Sequence, residues 1–225
     1  IETFLSRATE AETGHVLSAA EERKVAIHEL GHYVVGRALG LPTQFFTVRP
    51  TEENLGETFI SSGGAIKTLE VEEARRLIAT CLGSVKIEQF FGFPPREGSA
   101  SDLENATSFA KEIVYKTCRQ RSKQLREYGL MSVELGDEDY SPAISDSLMV
   151  KLEREIGLVL REEEKRCQRI LKFFGRKILE KVLEDFLSKP NKTMLQGEID
   201  PLLEPKLSEF HRKRKIKDLI LEENW

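Results

Sequence analysis

Apolar residues recur at helical spacing along most of this chain. Between Ser18 and Leu39 they fall at Val25, Ala26, Ile27, Leu30, Val34 and Val35, which predicts a helix over 18–39. Ser18 and Glu21 supply an S-x-x-E capping box at its start, Glu22 adds a second acid to the first turn, and Gly40 is placed to stop it. A second helical stretch covers 69–91, with Leu69, Val71, Ala74, Leu77, Ile78, Cys81 and Leu82 in phase. Ser101-x-x-Glu104 is another capping box and predicts a third helix from Ser101 to about Tyr128. Residues 146–188, rich in Glu, Lys and Leu, predict two long helices with an interruption near Gly175. Thr193 to Leu203 predicts a short capped helix stopped by Pro205.

Two short stretches break the helical pattern. Phe45-Phe46-Thr47-Val48, ending at Pro50, is aromatic and β-branched and predicts a strand; Thr58-Phe59-Ile60 predicts a second. Polar, Gly- and Pro-rich segments at 51–56, 61–64, 92–99 and 129–144 read as loops. The expected fold is mainly α, a helical bundle built around the 18–39 helix, plus a small β-sheet. The expected organisation is a linker or leading helix at 1–17, one domain over 18–205, and a charged tail over 206–225.

Composition adds exclusions. The chain has 225 residues, 40% hydrophobic and 32% charged, with a net charge of −4. That balance has no basic field to favour nucleic acid. The basic run His211-Arg212-Lys213-Arg214-Lys215-Ile216-Lys217 is flanked by acids and reads as a solvated face. No apolar run reaches the ~18 residues that span a bilayer, and there is no signal-peptide pattern. Because the chain starts at Ile, an excised or processed piece is expected, one that could have lost a membrane anchor or another domain upstream. Cys81, Cys118 and Cys167 form no C-x-x-C pair, so zinc-finger and redox motifs are absent; they read as small buried or half-buried side chains.

One pattern carries chemistry. His28-Glu29-Leu30-Gly31-His32 is H-E-x-x-H, set inside the first predicted helix. Residues four apart share a helix face, so both imidazoles can approach one metal ion. Glu29 is placed to act on a water at that metal, which is the apparatus of zinc-assisted peptide hydrolysis. The plainer alternative is a pair of helix histidines beside an incidental Glu. A catalytic zinc usually takes three protein ligands. No third His follows His32 in H-x-x-G-x-x-H spacing, and His15 and His211 have no local partner, so the third ligand should be a carboxylate, with Asp102 the best candidate.

Asp102 lies in Ser101-Asp102-Leu103-Glu104-Asn105-Ala106-Thr107, which resembles the N-D-L-x-x-A-T motif of the FtsH-type peptidase domain. Val25-Ala26-Ile27-His28-Glu29-Leu30-Gly31-His32 is similar to that family's V-A-Y-H-E-A-G-H, and Val48-Arg49-Pro50 with Leu55-Gly56-Glu57-Thr58 to its V-T-I-x-P-R-G…L-G-x-T region. Leu82-Gly83, Glu88 and Phe91-Gly92 resemble its L-G-G-R-x-A-E-E…F-G segment, Tyr128-Gly129-Leu130-Met131-Ser132 its Y-G-M-S, and Lys192-Thr193-Met194-Leu195 with Glu198-Ile199 its E-T-L-x-x-x-E-I. There are departures: Leu30 replaces a small residue, Tyr33 stands where Ala is common, Ser84-Val85-Lys86-Ile87 replaces much of G-R-x-A, and Ser101 replaces Asn.

The resemblance implies a zinc endopeptidase domain with Zn2+ held by His28, His32 and Asp102, and Glu29 as the general base. It implies cleavage of unfolded polypeptides within a hexameric homo-oligomer, served by an ATPase module upstream or in trans. It also implies a soluble domain of a membrane-associated protease in a bacterium, plastid or mitochondrion. The strand Thr58-Phe59-Ile60 is expected to hold extended substrate by edge pairing, with a purely structural edge strand as the alternative. Asn105 and Thr107 are candidates to orient Asp102, although helix-surface packing is the favoured reading of both. No G-x-x-x-x-G-K-[ST] phosphate loop occurs in this chain. The competing readings are a stand-alone peptidase and a non-catalytic scaffold or assembly module of the same fold.

Overall fold

The computed structural model describes residues 16–51, 54–60, 70–94, 99–116 and 146–222. Helix α1, Ala19–Ala38, opens on the expected box: Ser18 Oγ accepts from the Glu21 amide, and Glu21 Oε2 accepts from the Ser18 amide at 2.9 Å. It ends at Leu39, and Gly40 takes a left-handed φ of 79°, which favours glycine. Val25, Ile27, Leu30, Tyr33, Val34, Val35 and Ala38 are all buried, so α1 is covered on nearly every side. A helix wrapped this way belongs at the centre of a core rather than on its surface.

Around α1 lie a small sheet and five further helices among the described residues. β1, Thr43–Thr47, is the central strand, with β2, Glu57–Ile60, on one side and β3, Thr193–Leu195, on the other, both antiparallel. Phe46 pairs with Thr58 and with Met194, and its ring stacks on Phe186 at 4.6 Å between centroids. Burying one such aromatic side chain contributes roughly 1.5–3 kcal/mol. Helix α2, Val71–Phe90, lies along α1, and α3, Ala100–Lys116, packs on α2. α4, Asp146–Phe174, and α5, Arg176–Leu187, flank Gly175 at φ 79°, the interruption that the sequence predicts. α6, Gln196–Glu222, closes the described chain.

The apolar interior has two parts. One surrounds α1 and draws on β1, α4, α5 and α6; the other joins Ala74, Ile78 and Leu82 of α2 to Ala106, Ala110 and Ile113 of α3 and Leu152 and Ile156 of α4. α2 and α4 are also pinned by ions: buried Glu163 accepts from Arg75 Nε at 2.7 Å and from Arg166 at 3.2 Å. Among the described residues, no helix is long and apolar enough to cross a membrane.

The mainly α fold with one small sheet agrees with the sequence reading, and three local expectations do not. Thr193-Met194-Leu195 is a strand, because β1 needs a partner on its second edge and a three-residue segment carries no period of its own. The helix starts after it, where Glu198 Oε2 accepts from the Leu195 amide at 2.9 Å. Pro205 does not stop that helix. Pro201 and Pro205 both lie on the exposed face, where the carbonyls they leave unbonded reach water, while Ile199, Leu203 and Leu207 continue a buried stripe. Ser101 does not cap α3, because the helix already includes Ala100. The expected continuation of that helix to Tyr128 and the Y-G-M-S segment lie outside the described residues, as do His15 and Cys118.

Candidate metal centre

α1 and α2 cross at two glycines. A Cβ on Gly31 would stand 2.5 Å from the Gly83 carbonyl oxygen, so the backbones touch there. The crossing lays the turns of α1 that carry His28 and His32 against the turns of α2 that carry Thr80, Ser84 and Glu88. Those three are spaced i, i+4, i+8, hence on one face of α2. His28 Nδ1 donates to Glu88 Oε1 at 3.0 Å, and His32 Nδ1 donates to the Thr80 carbonyl at 2.9 Å. Glu88 is almost fully buried. With both Nδ1 atoms committed, each ring presents Nε2 to its other side.

What the Nε2 atoms meet is Asp102, delivered by the first turn of α3. Its Oδ2 lies 3.1 Å from His28 Nε2 and 3.2 Å from His32 Nε2. Ligand atoms of His28, His32 and Asp102 all fall within 4.8 Å of one another, a set that could hold a metal ion. Tetrahedral zinc with bonds of ~2.0–2.1 Å spaces its ligand atoms by about 3.3 Å. Three lone-pair atoms converging this closely repel unless a proton or a cation sits among them. Two imidazoles and one carboxylate are also the donor set of an open catalytic zinc site. The residues therefore fit the metal.

The electrostatics say the same thing of the metal-free site. Burial pulls the His28 imidazole pKa down, but the bonds to Asp102 and Glu88 outweigh it and raise it to about 9. His32 follows the same balance and is also raised. Burial pushes the Asp102 carboxyl up, yet the two imidazoles and Ser84 hold it well below the usual carboxylate range. Such a site grips protons when no cation is there, and a bound cation must displace them.

Glu29 sits on α1 between the two histidines and is buried, and that burial raises its carboxyl pKa. Thr58 of β2 donates from Oγ1 to Glu29 Oε2 at 2.7 Å. Gly56 closes over the same group: a Cβ there would stand 3.0 Å from Glu29 Oε1. A cavity of about 750 Å³ opens in front of these groups, walled by His28, Glu29, His32, Asp102 and Thr58 and by apolar Val25, Leu55, Ile60 and Leu77. Cys81 also borders it, its thiol pushed up to about 12 by burial and the Asp102 charge.

The site residues read from the sequence thus stand as follows. His28, Glu29, His32 and Asp102 come together at one wall of the cavity. Thr58, Phe59 and Ile60 belong to the strand beside it, an outer strand of the sheet among the described residues; Thr58 and Ile60 line the cavity, and Phe59 stacks on Phe45. Asn105 is exposed, and Thr107 bonds the Leu103 carbonyl at 2.7 Å, so the described contact to Asp102 is instead Ser84 Oγ, at 2.6 Å. His211 donates to the carbonyl of Ala38 at the end of α1. Leu30 and Tyr33, two of the departures, fill the core around α1. Sequence reasoning did not find the ring partner Glu88, the Thr80 carbonyl, Ser84, or Thr58 as a partner of Glu29. The i, i+4, i+8 spacing on the predicted second helix is the one signal for the α2 group.

Comparison with known proteins gives the family. The model of peptidase family M41 matches residues 15–200. The chain is similar to the ATP-dependent zinc metalloprotease FtsH 4 of Synechocystis sp., 27% identical over 190 residues, which is 81% of this chain and 30% of that protein. It is similar to the ATP-dependent zinc metalloprotease FtsH of Leuconostoc mesenteroides, 27% identical over 157 residues, 68% of this chain and 22% of the relative. It is also 28% identical to the ATP-dependent zinc metalloprotease YME1L1 of Rattus norvegicus over 153 residues, 65% of this chain and 20% of that one. The chain spans less than a third of the length of these relatives. Low identity spread over a long match marks divergence within a shared domain, and the chain belongs to peptidase family M41 as a divergent FtsH-type peptidase domain.

Proposed function

We propose that this chain is a zinc-dependent endopeptidase domain that hydrolyses peptide bonds of unfolded protein substrates. The observation that carries the reading is the convergence of His28 Nε2, His32 Nε2 and Asp102 Oδ2 on one wall of an open cavity. His28, His32 and Asp102 would hold the zinc. When bound, that ion polarises the scissile carbonyl and acidifies a water. Glu29 takes a proton from the attacking water and hands it to the leaving amine. Its burial raises the carboxyl pKa, which favours taking up the proton. Thr58 holds the Glu29 carboxylate in place through Oε2. Thr58, Phe59 and Ile60 lie at the sheet edge, where an extended peptide can add as a further strand.

The unit that performs this is taken as 18–205. By kinship with the relatives, it works as a homo-oligomeric ring fed by an ATPase module, in the same polypeptide or in trans, at a membrane-associated complex. The test is metal analysis of the purified chain together with cleavage of unfolded casein, with and without an added ATPase partner. Near-stoichiometric zinc and cleavage that Glu29→Gln abolishes, with zinc retained, are expected. Cleavage that survives Glu29→Gln removes Glu29 from the chemistry, and a chain that takes up no zinc removes the metal reading.

A further inference from the structure

α2 supplies an outer partner to each member of the triad: the Thr80 carbonyl for His32, Glu88 for His28, and Ser84 for Asp102. Ser84 occupies the middle rung, next to the Gly31–Gly83 crossing, and is fully buried. Its hydroxyl has a single proton and two acceptors in reach, the Cys81 carbonyl at 2.9 Å and Asp102 Oδ2 at 2.6 Å. The shorter contact, to a charged oxygen, has the length of a charge-assisted bond. The oxygen it reaches is the same Oδ2 that faces both imidazoles.

We propose that Ser84 is a positioning residue for the metal centre: its hydroxyl locks the Asp102 carboxylate with Oδ2 turned toward the two imidazoles, and thereby sets the affinity of the site for a divalent cation. The inference rests on the zinc reading above. Asp102 sits in the first turn of a helix, on a side chain with two free torsions, and nothing in α3 itself holds its rotamer among the described contacts. Rotating it by one well would carry Oδ2 away from the rings. Ser84 reaches it from a different helix, so the bond also ties α3 to α2 at the metal. Because Ser84 is buried, water cannot take the place of a deleted hydroxyl. Outer partners of this kind set metal affinity by about 10- to 100-fold.

The experiment is a zinc titration of the full chain against a competing chelator, on wild type, Ser84→Ala, Asp102→Ala and the Ser84→Ala/Asp102→Ala double variant. Melting of each metal-free protein is followed in parallel. Ser84→Ala is expected to weaken zinc binding about 10- to 100-fold, beyond whatever the lost α2–α3 bond takes from metal-free melting. In the Asp102→Ala background the Ser84 change should cost nothing further, since the group it positions is gone. Zinc affinity equal to wild type in Ser84→Ala overturns the proposal, and so does a loss that persists without Asp102. A wild-type chain that binds no zinc overturns the metal reading itself and this inference with it. Zinc bound tightly by wild type and by Ser84→Ala alike leaves the metal reading standing and removes only Ser84.

Discussion

Gly31 of α1 and Gly83 of α2 meet backbone to backbone: a Cβ on Gly31 would stand 2.5 Å from the Gly83 carbonyl oxygen, and one on Gly83 would stand 2.7 Å from that of Gly31. The contact decides how near the ring-bearing face of α1 comes to Thr80, Ser84 and Glu88. In an exposed helix, Gly→Ala gains up to about 1 kcal/mol from propensity. Here the sign should reverse. Gly31→Ala must push the helices apart or move Ile87, and a loss of about 1–3 kcal/mol is expected by chemical denaturation, with weaker zinc binding. A variant as stable as wild type would show that the crossing is not tight.

Thr58 and Glu29 give a second expectation. Thr58→Val keeps the shape of the side chain and deletes the donor to Glu29 Oε2. A bond to a charged group is worth about 1.5–3 kcal/mol, which corresponds to a roughly ten- to hundredfold drop in kcat if it holds the base in place. Zinc content should not change, because Thr58 makes no described contact to the triad. Equal loss of zinc and activity would instead assign Thr58 to the metal site.

The pH dependence follows from His28. Its pKa in the metal-free chain is about 9, above the usual imidazole value. A raised folded-state pKa adds stability that is complete below the unfolded value near 6.5 and fades as pH climbs through about 9. The metal-free chain should therefore melt lower at pH 9 than at pH 6.5. Zinc competes with the same proton, so its apparent affinity should rise about tenfold per pH unit across that window for each proton displaced. Calorimetric zinc titrations at several pH values check this, and a flat profile would rule out proton displacement at His28.

Asp200 offers a purely structural test. It accepts from Tyr33 Oη at 3.1 Å, from Arg37 Nε at 3.1 Å and from Gln196 Nε2 at 2.9 Å, and so joins the C-terminal half of α1 to the start of α6. Asp200→Ala leaves a half-buried guanidinium and a buried tyrosine hydroxyl without their acceptor. A loss of about 2–3 kcal/mol is expected in urea unfolding. Asp200→Asn keeps an acceptor and should lose less. No change in either variant would show that the linkage contributes nothing to the fold.

By itself, the sequence determined the helix that carries His28, Glu29 and His32, its Ser18–Glu21 cap, the break at Gly175, the mainly α class, and, through motif resemblance, Asp102 as the third member of the triad. These are legible because caps, periodicity and turn residues act within a few positions of one another. Only the tertiary structure decided the rest. Glu88, the Thr80 carbonyl and Ser84 became partners of the triad because two glycines let α1 and α2 touch. Thr58 faces Glu29 because β2 pairs with β1 so that Thr58 stands opposite Phe46. Thr193–Leu195 became a strand, and α6 ran through two prolines, because a vacant sheet edge and a buried apolar stripe outweighed local preference. Each of these outcomes depends on the distance and rotation between elements far apart in the chain, and no short stretch of residues encodes that.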